Sequence, residues 1–111
     1  MKYWCVVFAN LPAQAMAVYP LMLFKDKKLM TNQRIVRHEK IHFNQQLELL
    51  VLPFYLLYLL HYLINLLRYR NHSKAYFEIC FEQEAYRYDD QVNYLQLRKP
   101  YAWIAFLGPH F

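Results

Sequence analysis

From Leu49 to Leu67 the chain is almost wholly apolar, interrupted only by Pro53, His61, Asn65 and several tyrosines. By length this run qualifies as a membrane-spanning helix. It follows directly on Arg37-His38-Glu39-Lys40-Ile41-His42, and that adjacency constrains the fold more than either segment alone. A spanning helix would leave everything after it across the bilayer from His38 and His42, where no later carboxylate could share a metal with them. One unbroken helix would also set Arg68 about 39 Å from His42, more than the residues up to Glu82 can comfortably retrace. Pro53 offers a break, because it cannot donate to the helix ladder and disfavours helix at Leu52. The expectation is a helical hairpin turning near Pro53, with Phe54 to Tyr69 packed back along the preceding helix. Its apolar turn then dips into a membrane or a protein partner.

The preceding segment has the form His-Glu-x-x-His. On a helix of 3.6 residues per turn, His38 and His42 stand one above the other on one face and can share a tetrahedral zinc ion. Glu39 cannot easily be a third ligand from the same helix, but it can take a proton from an activated water and pass it to a leaving amine. Helical context is good: Thr31 or Asn32 can cap the start, Ile35, Ile41, Leu47 and Leu50 supply apolar positions, and neither Gly nor Pro intervenes before Pro53.

Composition separates the possible partners. Of 111 residues 58% are hydrophobic and 19% aromatic, and Gly108 is the single glycine, which favours long helices and leaves apolar surface for lipid or a protein to cover. The net charge of +5 is concentrated beside apolar stretches, at Lys25 to Lys28, Arg34/Arg37/Lys40, Arg68/Arg70/Lys74 and Arg98-Lys99. Basic residues flanking apolar runs suit anionic headgroups; a nucleic-acid partner is not expected, because no fingerprint of such a domain is present. The two cysteines, Cys5 and Cys80, make no disulfide framework, and Cys5 reads as a buried apolar residue.

In order along the chain, Tyr3 to Phe24 faintly resembles a secretory signal but has too short an apolar core. It reads as a re-entrant or interfacial segment leading to an extended stretch from Ala17 to Phe24. A polar turn at Lys25 to Lys28 then joins extended pieces as a small hairpin, a possible edge for a substrate backbone. After the apolar run, Ser73 is a candidate N-cap for a helix carrying Tyr76 to Asp89 without interruption. Its glutamates sit among apolar residues, so at least one is buried and needs a cation. Phe81 and Ala85 flank Glu82, letting its helix pack closely on the histidines and favouring Glu82 as the third ligand. Glu78, one turn earlier, could substitute with a small slide, and Glu84, rotated by about 160°, suits orienting a histidine or pairing with Arg87. The aromatic tail, Pro100 to Phe111, either caps the core or anchors in an interface, and ends at a Gly108-Pro109 stop.

His38-Glu39-x-x-His42, followed forty residues later by Phe81-Glu82-Gln83-Glu84-Ala85, resembles the gluzincins, zinc metallopeptidases whose third ligand is a Glu on a second helix. Their membrane-associated branch carries Glu-x-x-Ala-Asp, and laying Glu82-Gln83-Glu84-Ala85-Tyr86 on it makes Glu82 the ligand. Small bacterial proteins with His-Glu-x-x-His-x-x-Gln-Gln-x-Glu-Leu, as at His38 to Leu49, are more similar still. Tyr86 stands where the branch has Asp, removing a carboxylate expected to orient a ligating histidine.

The expected fold is mainly α: a helical hairpin and a third, Glu-bearing helix around a zinc site, with a short β-hairpin before the His-Glu-x-x-His helix, all one domain over residues 1–111. The resemblance implies a minimal metalloendopeptidase acting on a peptide or protein at or in a membrane, the bacterial inner membrane being the expected location. Zn2+ is held by His38, His42 and Glu82, Glu39 is the general base, and Tyr76, Tyr86 and His72 are candidates for steadying the oxyanion. The alternative is a membrane-bound scaffold or accessory subunit with a structural or vestigial zinc site.

Overall fold

Helix α1 (Gln33–Leu49) organises the computed structural model, which describes residues 2–107. Asn32 caps it, its side-chain oxygen accepting from the backbone N–H groups of Arg34 and Ile35 at 3.1 and 3.2 Å. The helix buries His38, Glu39, His42, Gln45 and Gln46 beside Ile41 and Phe43, while Leu47 and the C-cap Leu50, two of the apolar positions of its sequence pattern, are exposed. Burying a polar stripe and exposing leucines inverts the ordinary amphipathic pattern, and it does so where the histidines lie.

Strands β1 (Trp4–Val7), β2 (Ala15–Val18) and β3 (Leu21–Phe24) form a sheet of order β1-β3-β2, with β2 antiparallel and β1 parallel to β3. The hairpin turns at Tyr19-Pro20 rather than at Lys25 to Lys28, and the segment expected to be re-entrant or interfacial carries strand β1. Strand periodicity explains the turn: Ala17, Met22 and Phe24 share the face packed on Phe43, whereas Leu21 points outward. Residues Lys27–Thr31 form a short 3-10 turn, whose start the Asp26 side chain caps. Cys5 is exposed, contrary to expectation, because β1 is an edge strand with all four residues exposed.

The chain does turn back after α1, but the break falls at Leu50, three residues before Pro53. Helix α2 (Val51–Tyr69) takes Pro53 into its first turn, where the missing N–H has no intrahelical partner to lose. Leu50 adopts φ 69° and ψ 153°, a region that only glycine enters without strain. The first turns of α2 meet α1, with the Phe54 ring 6.2 Å from that of His42 and the Tyr55 hydroxyl 3.4 Å from Gln46 Nε2. Its later half meets other helices instead of α1: Asn65 donates to the Ala75 carbonyl, and His61 Nδ1 accepts from the Cys80 N–H.

The helix expected over Tyr76 to Asp89 is two helices. Helix α3 (His72–Phe77) starts under an Asn71 cap, not at Ser73, and α4 (Cys80–Tyr88) follows a break at Glu78-Ile79. No breaker marks this break in the sequence. Ile79 is extended and buried, and His61 supplies the acceptor that a capping side chain would otherwise give the start of α4. The break separates Glu78 from the face of Glu82. Helix α5 (Tyr94–Leu97) and a 3-10 turn at Ala102–Phe106 complete the described chain, with Trp103 packing 5.0 Å from Phe81 as a cap on the core. The Gly108-Pro109 stop lies outside the described residues.

Candidate metal centre

Helices α1 and α4 bring His38, His42 and Glu82 together, all buried, with one donor atom of each within 4.8 Å of the others. Both Nε2 atoms lie 3.1 Å from the same oxygen, Oε1 of Glu82. A tetrahedral ion with bonds of about 2.0–2.1 Å separates its ligand atoms by about 3.3 Å, so these spacings fit a shared zinc.

The outward side of each ring strengthens that fit. Nδ1 of His38 is 3.0 Å from Oδ2 of Asp89, and Nδ1 of His42 is 2.7 Å from the Gln45 side-chain oxygen. A carboxylate or an amide oxygen only accepts, so each Nδ1 carries a hydrogen. In the neutral rings both Nε2 lone pairs then aim at Glu82 Oε1, and acceptors facing one another require protons or a cation between them. The Tyr58 hydroxyl of α2 donates to Oε2 of Glu82, leaving Oε1 to face the rings. Without metal His42 acts as the cation. Burial alone would lower the His42 pKa, but the charge and hydrogen bond of Glu82 prevail and hold it at about 9. Burial alone would raise that of Glu82, and His42 and His38 pull it well below the carboxylate range.

Glu39 is buried beside the set, where loss of solvation raises its pKa, opposed by His42 and His38 and reinforced by Glu82. It lines a cleft with an apolar half of about 260 Å³, walled by Met16, Phe54, Tyr55 and Tyr58, and a more polar half reaching Asn32 and Arg34. Tyr76 belongs to both halves; Tyr86 lies in the polar one, its ring 4.4 Å from that of His38. Their hydroxyls are 2.9 Å apart, and burial raises both pKa values, so each remains a proton donor. His72, the third oxyanion candidate, is elsewhere, exposed and bonded to Tyr62.

The opposite wall is β2. The bond from Lys25 N–H to the Gln14 carbonyl points the even-numbered backbone groups of this strand at β3, which leaves those of Ala15 and Ala17 on the outer edge. Gln46 grips part of that edge, accepting from the Tyr19 N–H and donating to the Ala17 carbonyl, both at 2.7 Å; the Tyr55 hydroxyl also donates to that carbonyl. Ala13 and Ala15 line the cleft.

Sequence reasoning missed Asp89, Gln45, Tyr58 and Arg98. Asp89 was detectable: it stands seven residues after Glu82, two turns along the same helix face, and replaces the carboxylate absent at Tyr86. Arg34 Nε and Arg37 Nη1 hold it, at 2.9 and 2.6 Å. Glu84, expected to orient a histidine or to pair with Arg87, pairs with Arg98 from beyond α5 and accepts from the Gln45 amide. No protein-family model, no curated protein and no solved structure matches this chain.

Proposed function

We propose that the chain is a minimal, gluzincin-like zinc metallopeptidase that hydrolyses peptide bonds at a membrane. The observation that carries the proposal is the convergence of His38 Nε2, His42 Nε2 and Glu82 Oε1 beside the buried Glu39 carboxyl, at the floor of a cleft with a strand edge for its wall.

A zinc ion held by His38, His42 and Glu82 would supply Lewis acidity, making water easier to deprotonate and drawing electron density from a peptide carbonyl. Glu39 receives the proton of the attacking water and returns it to the departing amine, so that water adds across the C–N bond and the carboxyl ends unchanged. The outer edge of β2 at Ala15, short of the part that Gln46 and Tyr55 occupy, holds an extended substrate backbone. The Tyr76 hydroxyl, with Tyr86 behind it, donates to the oxygen on which negative charge develops.

The membrane part of the proposal rests on α2. This helix is long and apolar enough to cross a membrane by length and composition, and only 17% of its apolar window is buried. Leu52, Leu56, Leu59, Leu60, Leu63 and Leu67 face outward, while Phe54, His61 and Asn65 are buried and the hydroxyls of Tyr55, Tyr58 and Tyr62 bond within the protein. Turning polar groups inward and leucines outward suits hydrocarbon, with Arg68, Arg70 and Lys74 following for anionic headgroups.

Metal analysis of purified protein, with hydrolysis of a quenched peptide library, tests the proposal. One zinc per chain is expected, lost in His38→Ala, and cleavage that disappears in Glu39→Gln while zinc is retained. A wild-type protein that cannot bind zinc overturns the proposal. Zinc-bound protein without cleavage favours the scaffold alternative.

A further inference from the structure

We infer that Gln45 and Glu84 form a relay that fixes the ring tautomer of His42, with Arg98 anchoring it, so that metal affinity depends on side chains that never touch the metal. This rests on the metal-site proposal above.

Gln45 is fully buried on α1, three residues beyond His42. Its amide nitrogen lies 3.0 Å from the Phe81 carbonyl oxygen and 2.9 Å from Oε1 of Glu84. Both partners only accept, so the amide cannot turn over without setting its oxygen against two acceptors. That oxygen is therefore fixed opposite Nδ1 of His42, at 2.7 Å, and demands a hydrogen there. The remaining nitrogen, Nε2, is left as the ligand, directed at Glu82 Oε1.

Glu84 is held as firmly. The Tyr94 hydroxyl and Arg98 Nε donate to its Oε2, each at 2.6 Å, and Arg98 Nη2 donates to Oε1 at 3.1 Å. Arg98 is itself forked on Glu48 of α1 at 2.9 and 3.0 Å. A guanidinium gripping two carboxylates from α1 and α4 has little freedom to rotate, and it fixes Glu84 where Gln45 must meet it. The two histidines are thus oriented by separate devices. His38 relies on Asp89 and the largely exposed Arg34, whereas His42 relies on a buried chain that ends in the segment after α5.

Zinc affinity, measured by chelator competition on the full chain, tests the relay in wild type, Gln45→Leu, Glu84→Gln and the double variant. Thermal melts check that each folds, and Gln45→Asn, which draws the carbonyl back from His42, replaces Gln45→Leu if that variant does not. Affinity is expected to fall by about 10–100-fold in the Gln45 variant and less in Glu84→Gln. The double variant should match the Gln45 variant alone, because Glu84 acts through Gln45. In zinc-loaded, 15N-histidine-labelled protein, the His42 Nδ1–H signal should be protected in wild type and exchange rapidly in the Gln45 variant while the backbone amides of α1 stay protected, which separates the change from loss of stability. Wild type that takes up no zinc overturns the metal site and the relay together. Zinc-binding wild type with Gln45 variants within twofold of it, or with Glu84→Gln fully additive in the double variant, overturns the relay alone.

Discussion

Asp89 Oδ2 stands 3.0 Å from Nδ1 of His38, while Glu82, two turns earlier on the same helix face, directs Oε1 at Nε2 of the same ring. The ring is held from both sides by carboxylates of one short helix and its C-cap, so the angle between α4 and α1 and the aim of His38 Nε2 are one quantity. Asp89→Asn keeps the shape but can present an amide N–H to Nδ1. Zinc affinity is expected to fall by about 10–100-fold with the helix content unchanged, by chelator competition and circular dichroism. An unchanged affinity would remove Asp89 from the site.

The three glutamates should separate cleanly. Glu82→Gln removes a ligand, Glu84→Gln loosens the relay, and Glu78→Gln should change zinc affinity by less than twofold, since Glu78 sits at the break between α3 and α4. Any other order contradicts the assignment of Glu82.

Glu39→Gln is expected to keep its zinc and to lower kcat by about 10²–10⁴-fold with KM little changed, the usual share of a general base. Steady-state kinetics on a cleaved peptide read this split. A rise in KM alone would make Glu39 a binding residue.

The chelator-treated protein should lose stability as pH rises. The His42 pKa is raised in the fold from 6.5 to about 9, so its contribution is fully present below 6.5 and vanishes as pH passes about 9. The raised carboxyl of Glu39 acts in the same direction, favouring the fold more when protonated. The lowered carboxyl of Glu82 contributes above 4.5 and loses that contribution as pH falls through its folded value. Thermal melts between pH 6 and 10 should decline in wild type and flatten in His42→Gln; equal slopes would refute the coupling.

Leu50→Gly should stabilise the chain in detergent by about 1 kcal/mol. Glycine enters the positive-φ region without the strain of about 1–3 kcal/mol that a leucine bears, and part of the gain is returned as backbone entropy. Denaturant unfolding measures the difference, and a lower midpoint would mean that Leu50 contributes more through contact than it loses through strain.

From residues alone one could see a helix carrying His38, Glu39 and His42, a reversal of the chain before Tyr69, and a later helix bringing Glu82. Local spacing on a 3.6-residue helix and the reach of a short chain suffice for each. The position of the reversal was not legible, because Pro53 fits a first helical turn as well as it breaks an interior, and only packing chose Leu50. Nor was the break at Glu78-Ile79, which a side chain of α2 makes possible through His61 and Cys80. Gln45 and Arg98 lay beyond sequence reasoning for the same cause. Each acts on a partner 39 or 50 residues away (Glu84 or Glu48), and which of many buried polar groups satisfies which is settled by tertiary contact. The sequence by itself determined which residues could bind a metal; the tertiary structure decided which of their atoms converge, because the side chains that orient them come from distant segments or are held by them.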